Sequence, residues 1–518
     1  VTVIRQANRL ILNTFATYGR MLLTIGLGLA TIRLLFQALG ETGYGVFTAT
    51  NATGAMLAVL QASLVTSAQR NLAFDLGQGN LEQQRRTFST TLALFALSAV
   101  GVMGVSIAVG PGLLSLLTIP DDLRSAAFWV YCLSILNIVL TVSVTPYNAV
   151  LAARQEILWV TVSQVLTRVL LLAAVLPLFT IDASGDRLAF YAAAQVLVTV
   201  VGGLVPWLAS RRYPEARFSF SRVLRRDMRR IGSFAGWTMF ERLATTFREQ
   251  GSVAVINAFF GPSVNAAYAI AVQVAGYVVS LPSALSNVIA PALTTRRSQG
   301  DAIWSERLRW VGSRYAVYMS MLLLVPIALE IDTILNLWIP NHPPLAASFC
   351  ILVMLARLAG MLSWGDGMAA QAVGRIRHLS LALSLPMLIA FGLVTLAYRF
   401  GWSAEPLLMP AVMLVMTLIV SLYRPIVVSR LTSTPPQAYV RNVLIKLAVA
   451  IVPAAALAWG VHALLDAGIA RVLIVTVVYG LAQIACIWFV GSDAWEREHV
   501  IRVVNSHRVR KLLHRTKA

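Results

Sequence analysis

Asn13, Thr17, Arg20, Thr24, Gly28 and Thr31 follow one another in steps of four and three residues. On a helix that spacing places all six on one face. Ser233, Trp237, Glu241, Thr245, Arg248 and Ser252 form a second such face, with Arg242 and Glu249 in a stripe beside it. A guanidinium in this setting offers paired N–H donors to a carboxylate or phosphate, and a carboxylate offers a seat for a proton or cation. Gln164 with Arg168, Gln273 with Ser280, Ser283 and Asn287, and Arg357 with Trp364, Asp366 and Gln371 add polar groups at helical spacing in three further segments. The pattern suits reversible binding of an anionic, hydrogen-bonding solute.

Motifs of catalysis are missing. The sequence holds no Walker A motif and no Gly-rich dinucleotide motif after a strand, and its one acidic doublet, Asp121-Asp122, reads as a solvated turn after Pro120. Cys132, Cys350 and Cys486 lie far apart in apolar runs, so neither a disulfide framework nor a zinc site is expected. The expectation is a non-enzymatic protein with no cofactor and no metal.

The elements that carry these stripes are set by composition. Of the 518 residues, 58% are hydrophobic and 12% charged, where a soluble domain carries about 25% charged residues. Lipid is the solvent that such a chain suits, and a spanning helix needs about 20 mostly apolar residues. The hydropathy pattern predicts an all-α integral membrane protein with about fourteen transmembrane helices between residues 10 and 490. The first apolar stretch is too long for a signal-peptide core and is expected to remain as the first span. Charge inside a span is costly and faces a bundle interior or a wet cavity. On that ground Arg20, Thr24, Arg168, Glu241, Thr245, Arg248, Glu249, Gln273, Arg357 and Asp366 are the candidate substrate-cavity residues. A packing role competes, with hydroxyls joining helices and charges acting as paired struts.

The net charge of +20 is carried almost wholly by arginine. Arginines crowd alternate loops, at Arg85-Arg86, Arg154, residues 211–229, Arg296-Arg297, Arg375 with Arg377, and the tail after residue 491. This is the positive-inside pattern rather than a nucleic-acid groove, and it places both termini in the cytoplasm.

The chain also repeats itself. Leu39-Gly40 pairs with Phe260-Gly261, Gly79-Asn80 with Gly300-Asp301, Ile119-Pro120 with Ile339-Pro340, and Ala153-Arg154 with Gly374-Arg375, all at an offset near 221. The expected organisation is an N-terminal six-helix lobe over 1–210, a basic connector over 211–229 and a second six-helix lobe over 230–430. Two additional helices over 431–490 and a basic tail over 491–518 complete it. Two six-helix halves entering from one side make a parallel repeat, whose substrate site lies between the halves near the midplane. The offset lays Arg20 on Glu241 and Thr24 on Thr245.

The stretch from Asn8 to Gly45, with Leu39-Gly40 and Tyr44-Gly45, resembles the start of bacterial polysaccharide flippases, as does Phe218-Ser219-Phe220 leading through Arg225-Arg226 to Ile231-Gly232-Ser233-Phe234. The chain is similar to the O-antigen and exopolysaccharide translocases of the multidrug/oligosaccharidyl-lipid/polysaccharide exporter superfamily over its first twelve spans. The resemblance implies a bacterial inner-membrane flippase working by alternating access between two lobes. Its substrate would be a polyprenyl-diphosphate-linked oligosaccharide, its surroundings membrane lipids, and its further partners a polysaccharide polymerase and a chain-length regulator. Cavity arginines would then attract diphosphate or acidic sugars. Spans two and eight lack the several arginines usual in lipid II flippases. Glu241 and Glu249 keep a cation-coupled exporter of small molecules as the alternative.

Overall fold

The computed structural model describes residues 2–57, 80–154, 156–219, 222–223, 225–229, 245–298, 302–373, 376–432 and 435–498, with five single positions between 64 and 75. No strand occurs among the described residues. Among the described residues, seven long helices precede residue 330. These are α1 Thr2–Leu57, α2 Leu81–Ser115, α3 Arg124–Ala153, α4 Ile157–Ala173, α5 Ser184–Ser210, α6 Ser252–Ser298 and α7 Ala302–Leu329. There follow α8 Ile331–Trp338, α9 Ala346–Met361, α10 Trp364–Val373, α11 Ile376–Arg399, α12 Leu408–Thr432, α13 Ile445–Leu464 and α14 Ile469–Cys486.

Ten described helical stretches are long and apolar enough to cross a membrane, and α9 with α10, bent by 43°, makes an eleventh when the pair is counted as one span. The chain is therefore a multi-pass membrane protein. Two of the ten, Leu23–Ala52 and Phe247–Ser280, contain a break. Gly40 has φ 70° and ψ 177° within α1, and Gly261 has φ 83° and ψ 174° within α6. Only glycine takes that backbone conformation without a Cβ penalty. Pro146, Pro206, Pro326, Pro386, Pro425 and Pro453 sit inside described helices. Pro177 instead opens a 3₁₀ turn, Leu176–Thr180, at the end of α4.

The chain forms two compact units. One comprises Val1–Val274, Trp338–Val353 and Ile376–Met416, the other Ala275–Leu337, Met354–Arg375 and Thr417–Ala518. In the first, α3 packs along α5, α4 packs on α5, and α1 crosses α3 and α4. Phe88 and Phe95 of α2 anchor a core with Val142, Ala149 and Val150 of α3. Asn80 caps α2, its Oδ1 accepting from Gln83 N at 3.0 Å. The first part of the basic connector is bound to this unit. Arg154 Nε lies 2.5 Å from Glu215 Oε1 and its guanidinium 4.4 Å over Tyr213. Arg85 Nε donates to Pro214 O at 3.1 Å, and Ser219 N to Ser89 Oγ at 3.2 Å. Arg85 and Arg154 thus secure the connector besides contributing to the charge pattern.

In the second unit, buried charges are matched. Arg309 donates from Nε to Asp366 Oδ1 at 2.6 Å and from an Nη to Glu306 Oε2 at 2.9 Å. It also reaches Pro425 O at 3.2 Å and Ser429 Oγ at 3.3 Å. Gly365 makes room for this, because a Cβ there would lie 1.9 Å from Arg309 O. Arg314 pairs with Glu496 just past α14. Glu330 at the end of α7 meets His462 of α13 at 2.7 Å and Arg471 of α14 at 3.0 Å. Apart from Arg309–Glu306, which lies within α7, each pair joins α7 or its end to another helix or to the segment after α14.

Truncating one member of a buried ion pair costs about 3–5 kcal/mol where it leaves the other charge uncompensated. Arg309 keeps Glu306 when Asp366 is lost, so Asp366→Ala is expected to lower the unfolding midpoint of the detergent-purified protein by less than Arg309→Met, which strands both carboxylates. An unchanged midpoint would remove Asp366 from the structural core.

Candidate functional site

Four polar residues of α3, Asn137, Thr141, Thr145 and Asn148, stand at intervals of four, four and three. They share one face of a helix rich in apolar residues. That face, with Ser163, Gln164, Thr167 and Arg168 of α4, Thr199, Gly202 and Gly203 of α5, and Thr24 of α1, lines a cavity of about 590 Å³ inside the first unit. The volume lies in the range of about 300–1,000 Å³ that encloses small-molecule ligands.

A hydroxyl at membrane depth needs a hydrogen-bond partner. Here the helices supply it. Thr141 Oγ1 donates to Asn137 O at 2.8 Å, Thr145 Oγ1 to Thr141 O at 2.9 Å, and Thr167 Oγ1 to Ser163 O at 2.8 Å. Ser163 Oγ donates across to Gly202 O at 2.8 Å, tying α4 to α5. Each hydroxyl has thus spent its hydrogen on a carbonyl and keeps its lone pairs as acceptors. Asn137 Oδ1 and Asn148 Oδ1 are buried and accept no hydrogen bond from any described residue. The cation of the site is Arg168, which is exposed and forms no ion pair with any described carboxylate. Gly202 and Gly203 let the three helices close around the cavity. A Cβ at Gly202 would lie 2.3 Å from Thr167 Oγ1, and one at Gly203 2.5 Å from Val144 Cγ2.

Of the residues singled out in the sequence, the fold brings Thr24 and Arg168 together here, with Gln164 beside them. Arg248 and Glu249 are neither of them part of its lining. They occupy a π-helical turn, Phe247–Gly251, directly before α6, with Arg248 Nη 3.4 Å from Glu249 Oε1 and 3.4 Å from Met387 Sδ of α11. Such turns recur at functional sites. Thr245 is exposed and Gln273 half-buried in the same unit. Arg357 is half-buried in α9 of the second unit, and Asp366 belongs to the Arg309 cluster there. The side chain of Arg20 and all of Glu241 lie outside the described residues. The α3 stripe escaped the sequence reading, although its four-four-three spacing within an apolar span was visible there.

A second feature of the same unit is a close seam. A Cβ at Gly45 would lie 1.9 Å from Pro262 O, so the two backbones touch where only glycine fits. Asn265 Nδ2 donates to Gly45 O at 2.9 Å and to Thr48 Oγ1 at 3.1 Å, and Ser263 Oγ bonds Glu41. Nearby, Thr118 N donates to Asn257 Oδ1 at 3.0 Å.

Residues 10–295, more than half of the chain, match the family described as polysaccharide biosynthesis protein. The chain belongs to this family. No curated protein matches this family member by sequence. Its fold is that of transporters of the MOP superfamily, the exporter superfamily named above. An inward-facing multidrug-resistance MATE family transporter of that superfamily aligns with a TM-score of 0.60 at 15% identity, over 80% of this chain and 95% of that one. The lipid II flippase MurJ in an inward closed conformation aligns with a TM-score of 0.59 at 12% identity, over 92% and 98%. A MOP superfamily transporter from Pyrococcus furiosus aligns with a TM-score of 0.54 at 15% identity, over 83% and 93%.

Overpacking a tight helix contact costs about 1–3 kcal/mol. Gly202→Val is expected to lower the unfolding midpoint. Gly185→Ala, whose new Cβ would come no closer than 3.5 Å to Ala126 Cβ, is expected to leave it unchanged. Equal midpoints for the two variants would mean that α4 and α5 do not meet at Gly202.

Proposed function

We propose that this protein moves a polyprenyl-diphosphate-linked oligosaccharide from the cytoplasmic to the outer leaflet of a bacterial inner membrane, for export of a surface polysaccharide such as an O-antigen or exopolysaccharide. The carrying observation is a cavity of about 590 Å³, lined by hydroxyls, amides and one guanidinium, among helices apolar enough to span a membrane. Membership of the polysaccharide biosynthesis family supports the reading, and so does a fold shared with a lipid II flippase along 92% of the chain.

The cycle in this reading is alternating access between a lobe over 1–210 and a lobe over 230–430, related as parallel repeats within fourteen spans. The helices at 431–490 and the tail at 491–518 are additions to that pair, and both termini are cytoplasmic. Support for the repeat comes from Gly40 and Gly261, which are 221 residues apart and hold nearly the same backbone conformation. Each lies where the fourteen-span count passes from one span to the next. The seam around Gly45 and Pro262 joins segments of the two lobes, and in this reading it is the outer closure. Arg168 with Thr24, and Arg248 with Glu249, meet the substrate at different stages. Partnership with a polymerase and a chain-length regulator belongs to the same reading.

A cation-coupled exporter of small molecules is the second reading. It is favoured by the MATE family neighbours and by the half-buried Arg248–Glu249 pair on a π-helical turn.

The test is the lipid-linked sugar pool in a deletion strain carrying variants. Wild type is expected to clear the pool and restore surface glycan. Arg168→Ala and Gly45→Val are each expected to leave lipid-linked oligosaccharide on the cytoplasmic leaflet at normal protein level. Arg168→Ala does so by loss of binding, and Gly45→Val by holding the seam open. An unchanged pool in the deletion strain would turn the assignment to the exporter reading.

A further inference from the structure

The contact between α3 and α5 gives the first unit a front and a back. Gly203 faces Val144, where an added Cβ would lie 2.5 Å from Val144 Cγ2, and Gly185 faces Ala126, where it would lie 3.5 Å from Ala126 Cβ. Both steps, from Gly185 to Gly203 and from Ala126 to Val144, are eighteen residues, five full turns of helix. The two helices therefore run parallel along one line of contact. Thr199 and Gly202 of α5, with Asn137 and Thr141 of α3, fall on one side of that line, where α4 and α1 close the cavity that holds Arg168. Asp186, Phe190 and Ala193, with Trp129 and Leu133, fall on the other side and line a second cavity of about 550 Å³.

This second cavity is a groove with two unlike ends. Its floor is made of small residues, Ala126, Gly185 and Ala189, and its walls are the exposed rings of Trp129 and Phe190. Leu136 of α3 and Leu197 and Leu204 of α5 continue the exposed apolar surface beyond it. In a membrane protein lipid covers such a surface. Asp122, in the 3₁₀ turn before α3, and Asp186, in the first turn of α5, stand together at one end. From Asp186 to Ala193 the groove runs about 10 Å along α5. Neither acid pairs with a described cation. The arginines nearest in sequence are engaged elsewhere, Arg124 with Asp121, and Arg187 with the carbonyls of Ile181 and Ala38.

We infer that this groove binds a phospholipid whose headgroup carries a primary ammonium, as in phosphatidylethanolamine, with the ammonium on Asp122 and Asp186 and an acyl chain between Trp129 and Phe190. An amphiphile matches both ends of the groove. A soluble cation would leave the aromatic walls unused, and an anionic lipid would meet two like charges. A primary ammonium brings three N–H donors to carboxylates that only accept. The lipid joins the start of α3 to the start of α5 and so fastens the wall of the substrate cavity from behind. The inference is independent of the substrate and holds for a flippase and for an exporter alike.

The experiment titrates the full chain, purified in detergent, with phosphatidylethanolamine, phosphatidylcholine and phosphatidylglycerol of one acyl composition, and counts bound lipid by native mass spectrometry. Wild type is expected to hold one phosphatidylethanolamine about fivefold more tightly than phosphatidylglycerol, the worth of a partly exposed ion pair. Phosphatidylcholine, which has the cation without the N–H donors, is expected to fall between them. Asp122→Asn with Asp186→Asn, both at exposed positions, is expected to abolish the preference. Asp121→Asn with Asp182→Asn, two exposed acids of the same end that do not line the groove, is expected to keep it. Ala189→Phe, which fills the groove, is expected to weaken all three lipids at an unfolding midpoint close to wild type. Equal affinity of wild type for the three lipids, a preference that survives in the Asp122 and Asp186 variant, or one lost equally in the Asp121 and Asp182 variant would each overturn the site. Displacement of phosphatidylethanolamine by magnesium would overturn it too, by making the acids a divalent-cation site.

Discussion

Lipid offers no hydrogen bonds, so each polar group carried into the bilayer must find its partner within the protein. The rest of this structure answers to that constraint. Thr141, Thr145 and Thr167 meet it by bonding the carbonyl one turn back along their own helix, and Ser163 by bonding a carbonyl of the adjacent helix. This lets a helix of high apolar content carry a polar face with no partner helix opposite it. The face is then left free to meet a solute. It also fixes the chemistry of that face, because a hydroxyl that has donated inward can only accept outward.

The same constraint divides the charged residues into two kinds. Arg309, Arg314 and Glu330 are buried in the second unit and each is matched at close range by an opposite charge. All three belong to α7 or its end, and their partners come from α10, α13, α14 and the segment beyond α14. Such pairs specify which helices adjoin and are costly to break singly. Arg168 is of the other kind, exposed at a cavity wall with no described acid beside it. Glycines complete the division of labour by letting backbones meet, at Gly202 beside Thr167, at Gly365 beside Arg309, and at Gly45 beside Pro262.

Much of this was legible in the sequence. The apolar runs, the lack of catalytic motifs and the likeness to polysaccharide flippases all followed from composition and short motifs, and the family match bears out the last of these. Polar spacing singled out Thr24, Gln164 and Arg168, which the fold brings to one cavity within the first unit, whereas the sequence reading looked for a cavity between two lobes. Three things were out of reach. Asp366 reads as an intramembrane acid in either role, and only the fold reveals Arg309 at 2.6 Å. The α3 stripe consists of uncharged residues, which a search led by charge passes over, though their spacing announced them. The carbonyl to which each cavity hydroxyl donates depends on where its hydrogen points, and that is a property of the folded helix alone.

The central claim is that the α3 face lines a wet, substrate-filled cavity rather than a lipid-facing or packed surface. Cysteine labelling tests it most directly, in a chain whose Cys132, Cys350 and Cys486 are replaced by alanine. Thr141→Cys is predicted to react with a membrane-impermeant maleimide in inside-out vesicles, and to be shielded when lipid-linked oligosaccharide is present. Leu197→Cys, on an apolar face of α5 that is 64% exposed, is predicted to stay unreacted in lipid. Equal inertness of the two positions, or labelling at Thr141→Cys that the oligosaccharide never slows, would contradict the account.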